Sequence, residues 1–338
     1  MNTQRRRIVG ALALAFALAP VATAVAATTV AATTVAATTS YPSRAITILV
    51  GFAPGGGTDL IARQIVGRMA ELLKQPVVVE NRAGASGAIA AGAVAKAKPD
   101  GYTLLLGHVS SNAMLPAVNP DVSYAPDKDF RAITLIGSVP QVVVVPARSP
   151  ARTLAEFIAL AKSRPGQLNY ASSGLGTQQH FAAELFQQAT GTRMVHVPYK
   201  GSGAALADLM AGLVDVNFDT VPTVQQHIRA GTLRALAVTT RERVAGLPDV
   251  PTVIEAGVPD YEIGAWYMLM GPAALPPDIT ATLAKAVNET IRTPEVATKL
   301  LGLGVETAGG TPEAAQRYLD SEIARWKALA IDKGLRAR

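Results

Sequence analysis

Apolar residues in this chain come in short runs, each followed by a polar turn and then by a stripe at helical spacing. Ile46–Val50 reads as a buried strand, and Leu60, Ile61, Ile65, Val66, Met69 and Leu73 then fall on one helical face. Val77 to Val79 predicts a short strand after Pro76. Gly87 to Ala97 predicts an alanine-rich helix stopped by Pro99-Asp-Gly101, and Tyr102 to Leu106 the next strand. A second apolar run, Gln141-Val-Val-Val-Val-Pro146, opens a new region, with a helix over Thr153 to Ser163 ended by Pro165-Gly166.

The opening unit then recurs. Leu168 to Ala171 predicts a strand, Ser172 to Gly176 a glycine-containing loop, and Phe181, Leu185 and Phe186 one face of a helix. His196 to Tyr199, Lys200-Gly-Ser-Gly203 and the stripe Leu206, Leu209 and Met210 repeat it, closed by Gly212. Val214, Val216 and Phe218 alternate with Asp215, Asn217 and Asp219, which predicts a half-buried strand. Leu233 to Val238 is a further strand. Toward the C-terminus the pattern is mostly helical: Thr311 caps, Pro312 takes the first position, and Tyr318, Leu319, Ile323, Trp326 and Leu329 form the stripe. Strands alternating with helices predict an α/β fold with parallel sheets.

The first unit carries candidate chemistry. Gly55, Gly56 and Gly57 expose backbone N–H groups where a helix begins, a place where free donors and the helix dipole favour an anion. A dinucleotide fingerprint would need glycine where Leu60 stands, and a Walker loop would need lysine where Gly57 stands. A small carboxylate fits better than a triphosphate. A tight βα turn that uses glycine for geometry alone explains the same residues, and this segment by itself does not decide between them.

Length and composition narrow the class. The 338 residues allow two ordinary domains, and an apolar share near half with few aromatics suits an Ala/Val/Leu core. Arg5, Arg6 and Arg7 precede an apolar stretch from Ile8 to Ala19, with Ala24-Val-Ala26 as a cleavage site, so residues 1–26 read as an export signal. The triplicated Ala-Ala-Thr-Thr-Val/Ser of residues 26–40 is a low-complexity tether. Setting those three arginines aside leaves 28 basic against 25 acidic residues, +3, which argues against a nucleic-acid surface. Without cysteine there is no disulfide, thiol catalysis, thiolate metal site or cysteine-linked lipid anchor. The mature chain is expected in the periplasm.

Segments spread along the chain resemble a known family. Tyr41-Pro-Ser-Arg-Ala-Ile46, Gly51-Phe-Ala-Pro-Gly-Gly-Gly-Thr-Asp59, Val78-Val-Glu-Asn-Arg-Ala-Gly84 and Lys98-Pro-Asp-Gly-Tyr-Thr-Leu104 are similar to the tripartite tricarboxylate transporter substrate-binding proteins, the Bug receptors. So are Ser172-Ser-Gly-Leu-Gly-Thr-Gln-Gln-His180, His196-Val-Pro-Tyr-Lys-Gly201, Leu233-Arg-Ala-Leu-Ala-Val-Thr239, Leu247-Pro-Asp-Val-Pro-Thr252 and Glu322-Ile-Ala-Arg-Trp326. The resemblance covers essentially everything after Ser40. Gly51 departs from it, standing where the family usually has proline, which is expected to loosen the start of the loop.

The resemblance implies a two-lobed periplasmic-binding-protein fold of type II-like form. Each lobe would be a mostly parallel sheet flanked by helices, the two joined by crossing strands. Residues 41–140 with 253–338 would form the first lobe and 141–252 the second. It implies a receptor, a monomer, that takes a carboxylate in the cleft and delivers it to tripartite membrane carrier subunits. The helix-start loops would open on that cleft, with Phe52 and Ala53 as wall and Gly55, Gly56 and Gly57 as cradle. Thr58, Ser172, Ser173 and Thr177 offer hydroxyls that serve equally as caps, and Gly174 and Gly201 backbone donors. Asp59 complements its helix dipole or takes a ligand amine or hydroxyl. His180 reads as a cleft donor or a structural residue. Tyr199 and Lys200 are stronger candidates, a phenol and a cation before a helix start, with a solvated surface charge as the other reading of Lys200, and Asp219 orders the cleft or binds a ligand N–H. Trp266 reads as core more than cleft wall.

No catalytic set, metal or cofactor is expected. There is no Gly-x-Ser-x-Gly elbow and no His-Glu-x-x-His, and His108, His180, His196 and His227 are scattered. A hydrolase would need a Ser–His–acid set assembled in space. A binding protein that presents its ligand to a membrane sensor kinase is the alternative to transport, and nothing in the sequence separates the two.

Overall fold

The computed structural model describes residues 41–335; the export signal and tether lie outside them. In chain order the elements are β1 (Ile46–Val50), α1 (Gly57–Leu73), β2 (Val77–Asn81), α2 (Ala88–Ala95), β3 (Thr103–His108), α3 (Leu115–Val118) and β4 (Phe130–Pro146). Next come α4 (Leu154–Ser163), β5 (Asn169–Ser172), α5 (Gln178–Thr190), β6 (Val195–Pro198), α6 (Ser202–Ala211), β7 (Val216–Thr220), α7 (Val221–Arg229) and β8 (Leu233–Val238). The chain ends with β9 (Gly264–Pro272), α8 (Pro277–Arg292), α9 (Pro294–Gly302), β10 (Glu306–Gly309) and α10 (Pro312–Asp332).

Two sheets share β4. Its Phe130–Pro140 half pairs with β9 in the order β2-β1-β3-β9-β4, and β10 covers the far edge. Its Gln141–Pro146 half pairs in the order β6-β5-β7-β4-β8. The strand changes sheets at Pro140, where a residue without an N–H needs no ladder acceptor. The return crossing follows β8: Ile263 N–H donates to Thr239 O at 3.1 Å, and β9 starts at Gly264. Both sheets therefore show one type II-like order, strand 2, 1, 3, a crossing strand, then a fourth.

The sheets are mixed rather than mostly parallel. Between strands, parallel pairing joins β1 with β2 and β3, and β5 with β6 and β7, beside an isolated parallel bridge from Val238 to Thr252. Every antiparallel pairing involves β4 or β9, the long strands beside each crossing. Leu104 to Leu106 and Val142 to Val145 are buried, as strands covered by helices on both faces must be. β7 departs from the half-buried expectation for the same reason: Asn217 and Asp219 are as buried as Val216 and Phe218. At the C-terminal helix, Glu322 accepts from the indoles of Trp266 at 3.0 Å and Trp326 at 2.8 Å, and Phe181 of α5 meets Trp326 edge-on. Trp266 is core.

Candidate functional site

Four helices begin at one point between the sheets. A small polar compartment of about 20 Å³ is lined by Gly56, Gly57 and Thr58 at the start of α1 and Gln178 at the start of α5. Ser202 at the start of α6 and Thr220, the N-cap of α7, complete the set, with Asp219, His108 and Tyr267 around them. The N-caps of α1, α6 and α7 are Gly56, Gly201 and Thr220, and none makes a side-chain capping bond. At α1 and α6 the first N–H groups are thus left for another acceptor, whereas at α7 Thr220 N–H already meets Asp219 and Pro222 has no N–H to offer. At α5 the Thr177 hydroxyl accepts from His180 N–H at 3.4 Å, so Thr177 is a cap.

Asp59 braces the first loop from behind. Its carboxylate accepts from Gly55 N–H at 3.0 Å, Arg63 at 3.0 Å and Asn81 at 2.9 Å, and Asn81 also donates to Phe52 O. Burial pushes this carboxyl up, but those hydrogen bonds and the Arg63 charge outweigh it and hold it below its ordinary value. Asp219 has no such cation. It accepts from Thr220 N–H at 2.8 Å, Asn217 at 3.1 Å and Ser202 at 3.3 Å, yet complete burial pushes it up to about 6. Burial drives His108 down to about 3, against a hydrogen bond that its ring donates to Gln178, and raises the Tyr267 phenol.

The lobes touch at this point. A Cβ on Gly57 would stand 2.8 Å from Thr220 Oγ1 and 3.2 Å from the Tyr267 hydroxyl, and one on Gly201 3.1 Å from Ala53 Cβ. Ser86 Oγ donates to Leu175 O at 2.5 Å across the cleft. Ser86 belongs to the run Gly84, Ala85, Ser86 and Gly87, with φ of 138, 45, 55 and 93°. Left-handed backbone at non-glycine residues costs about 1–2 kcal/mol each and persists where neighbours impose it. Gly51 is one such neighbour. A Cβ there would lie 2.6 Å from Gly87 Cα, so this glycine seats the run against the first loop rather than loosening it.

Beside the small compartment, and sharing Phe52 and Ser173 with it, lies a cavity of about 460 Å³. Gly51, Ala85 and Ser86 form one wall, Gly174, Tyr199 and Lys200 another. Tyr199 donates to Asp208 at 2.6 Å, and burial with this partner pushes its phenol up to about 12.

Of the residues singled out in the sequence, Phe52, Ala53, Gly56, Gly57, Thr58, Ser173, Gly174, Tyr199, Lys200 and Asp219 line the two cavities. Gly55 and Asp59 shape the first loop, and Gly201 caps α6. Ser172 and His180 lie outside both cavities. Ser172 is 0 % exposed and hydrogen bonds His196 Nε2 at 2.6 Å and Gly174. His180 and His196 stack at 4.5 Å, and burial pushes both down to about 4. The Ser172–His196 pair has the spacing of nucleophile and base; Ser172 is fully buried, His196 is half-buried, and neither lines one of the two cavities. Gln178, Ser202, Thr220, His108 and Tyr267 were not anticipated. Thr220-Val-Pro222 carries a legible signal, an N-cap threonine with proline in the first turn. Tyr267 arrives on β9 from far along the chain.

A model of the tripartite tricarboxylate transporter family receptor matches residues 61–335. BugT of Bordetella pertussis is 37 % identical over 302 residues, 88 % of this chain and 92 % of that protein. A solved R. palustris protein with adipate is 38 % identical at a TM-score of 0.85, covering 88 % of this chain and 99 % of that one. MatC of Rhodopseudomonas palustris with bound malate is 35 % identical at a TM-score of 0.82, covering 86 % and 99 %.

Proposed function

The chain belongs to the tripartite tricarboxylate transporter receptor family, and on that premise we propose that it captures a small carboxylate between its lobes and delivers it to a tripartite membrane carrier. The observation that carries this reading is the convergence of four helix starts, three without side-chain caps, on one compartment. An anion placed there gains several N–H donors and the positive ends of the dipoles without a buried cation. Gly56, Gly57 and Thr58 would hold it from the first lobe and Ser202 from the second, with Gln178 and Thr220 contributing side chains because their N–H groups already donate to Ser110 and Asp219.

Contacts from both lobes stabilise the closed form over the open one, so ligand capture and lobe closure are one equilibrium. Phe52 and Ser173 form the wall past the anionic group, and Tyr199 and Lys200 stand at the rim. Relatives solved with adipate and malate support a carboxylate as ligand. The basic and apolar N-terminal pattern supports export to the periplasm, where the receptor acts as a monomer. No helix among the described residues is long and apolar enough to cross a membrane.

The purified protein should show a raised melting temperature with at least one member of a carboxylate panel, because a ligand that binds only the native form stabilises it. Mass spectrometry after incubation should return that carboxylate unchanged, at one per chain. Conversion to a product would overturn the receptor reading.

A further inference from the structure

The two cavities differ in size and chemistry, and that difference identifies the kind of carboxylate. The polar compartment, at about 20 Å³, has room for a group the size of a water or the end of one carboxylate. Whatever it anchors must place the rest of itself past Phe52 and Ser173, in the cavity of about 460 Å³. Cavities of that order hold bodies larger than a four-carbon acid.

The wall of the larger cavity is apolar over most of its area, although Ser86, Asn119, Ser123, Ser173 and Tyr199 also line it. Phe52, Ala88, Ile89, Leu115, Val122 and Leu175 contribute to it. Ile89 is 53 % and Leu175 42 % exposed, and both are large side chains standing in water at the edge of one cavity. Scattered exposed apolar residues need no explanation, but two on the same cavity mark a surface that a ligand covers. The charged residues on the wall are Lys200 and Asp121, of opposite sign. A second carboxylate would meet the acid as well as the lysine, and would lose water against aliphatic carbon.

The wall is also fixed in shape. The left-handed run Gly84–Gly87 is pinned by the Ser86 bond to Leu175 O and by the contact of Gly51 with Gly87. A preformed cavity loses little entropy on binding and favours a rigid body that fills it over a flexible chain.

We propose that the ligand is a monocarboxylate whose one anionic group enters the polar compartment while an aromatic-sized apolar body fills the larger cavity. Ile89, Leu115, Val122 and Leu175 set that preference. The inference rests on the receptor reading and gives it a substrate class.

Titration calorimetry with 3-phenylpropanoate, adipate, malate and uncharged 3-phenylpropanol tests it. Phenylpropanoate should bind at least ten times more tightly than malate, adipate or the alcohol. Ile89→Gln and Leu175→Gln, both at exposed positions, should each weaken phenylpropanoate at least fivefold more than they weaken malate, with folding checked by thermal unfolding. Tighter binding of malate or adipate would overturn the substrate class and leave the receptor reading in place. Equal losses for both ligands in both variants would also overturn it. Equal binding of phenylpropanol and phenylpropanoate would overturn the anion site itself, and no binding by any of the four overturns the proposed class.

Discussion

The two lobes repeat one strand order and present helix starts to the same cleft, but they handle carboxylates in opposite ways. In the first lobe Asp59 sits behind its loop, and Arg63 and Asn81 bind it there. Its charge stiffens the frame without entering the compartment. In the second lobe Asp219 stands in the compartment, hydrogen-bonded at the starts of α6 and α7 and fully buried with no cation. One carboxyl is lowered and the other raised to about 6, although one lies just after a buried strand and the other at the end of one. The difference is the partner: where a guanidinium offsets desolvation the carboxylate is scaffold, and where only neutral donors do, it stays under tension.

The contact between lobes is the part of this comparison most easily broken. Gly57→Val should weaken carboxylate binding about 100-fold or more, because its side chain would collide with Thr220 and Tyr267 and hold the lobes apart. Gly203 lies one residue into α6 with nothing within 4 Å of a Cβ built there, so Gly203→Ala should bind like the wild type. Calorimetry on both folded variants decides. Equal losses would mean that helix-start glycines matter for local geometry alone.

Stability separates the two acids next. Asp59→Asn should cost about 1–2 kcal/mol in urea unfolding at pH 7, discounted because Arg63 is half exposed. Asp219→Asn should cost less, since above pH 6 the wild type keeps a buried charge there. The signs differ with pH as well. Asp59, lowered on folding, adds stability above the ordinary carboxylate range that is lost as pH falls. Asp219, raised on folding, adds stability at low pH that is lost as pH rises from about 4 to about 6. His108, His180 and His196, all held neutral by burial, act against Asp219 in that window, so the difference between wild type and Asp219→Asn is the quantity to measure.

Binding should carry the same signature more weakly. Protonating Asp219 removes a like charge from an anionic ligand, so affinity should rise about three- to tenfold from pH 7.5 to 5.5. Burial keeps His108 and Tyr267 neutral across that range. Asp219→Asn should flatten the profile. A slope that survives in the variant would assign the proton elsewhere.

Much of this site was legible in the sequence, and the rest was not for identifiable reasons. The glycines at 55–57, the Thr177 cap and the loop before α6 are local features, and local spacing shows them. Thr220 at the start of α7 was missed because that start has no glycine. Tyr267 was missed because it reaches the compartment only through the pairing of β9 with β3 and β4, a relation between distant segments. His180 and Ser172 illustrate the opposite failure. Both sit at a helix-start loop, but a side chain there can turn away from the cleft: His180 stacks on His196 and Ser172 hydrogen bonds to it. Burial on both faces of β7 was hidden too, since alternation shows which residues are polar and not whether polar partners cover them.

The smallest effect should belong to Lys200, the cation that sequence alone made a strong candidate. It is exposed at the rim of the larger cavity, whose wall also carries Asp121. A solvated ammonium at the rim is screened, and exposed pairs of this kind contribute about 0–1 kcal/mol. Lys200→Met should therefore weaken a monocarboxylate less than about fivefold at physiological salt, with a smaller effect still at high salt. The comparison between lobes is sharpened if that holds, because anion recognition then resides in backbone donors on both sides of the cleft. A Lys200→Met protein that keeps its fold and loses binding altogether would place a side-chain ion pair at the centre of the site, and the second lobe would then recognise its ligand by charge where the first does so by helix geometry.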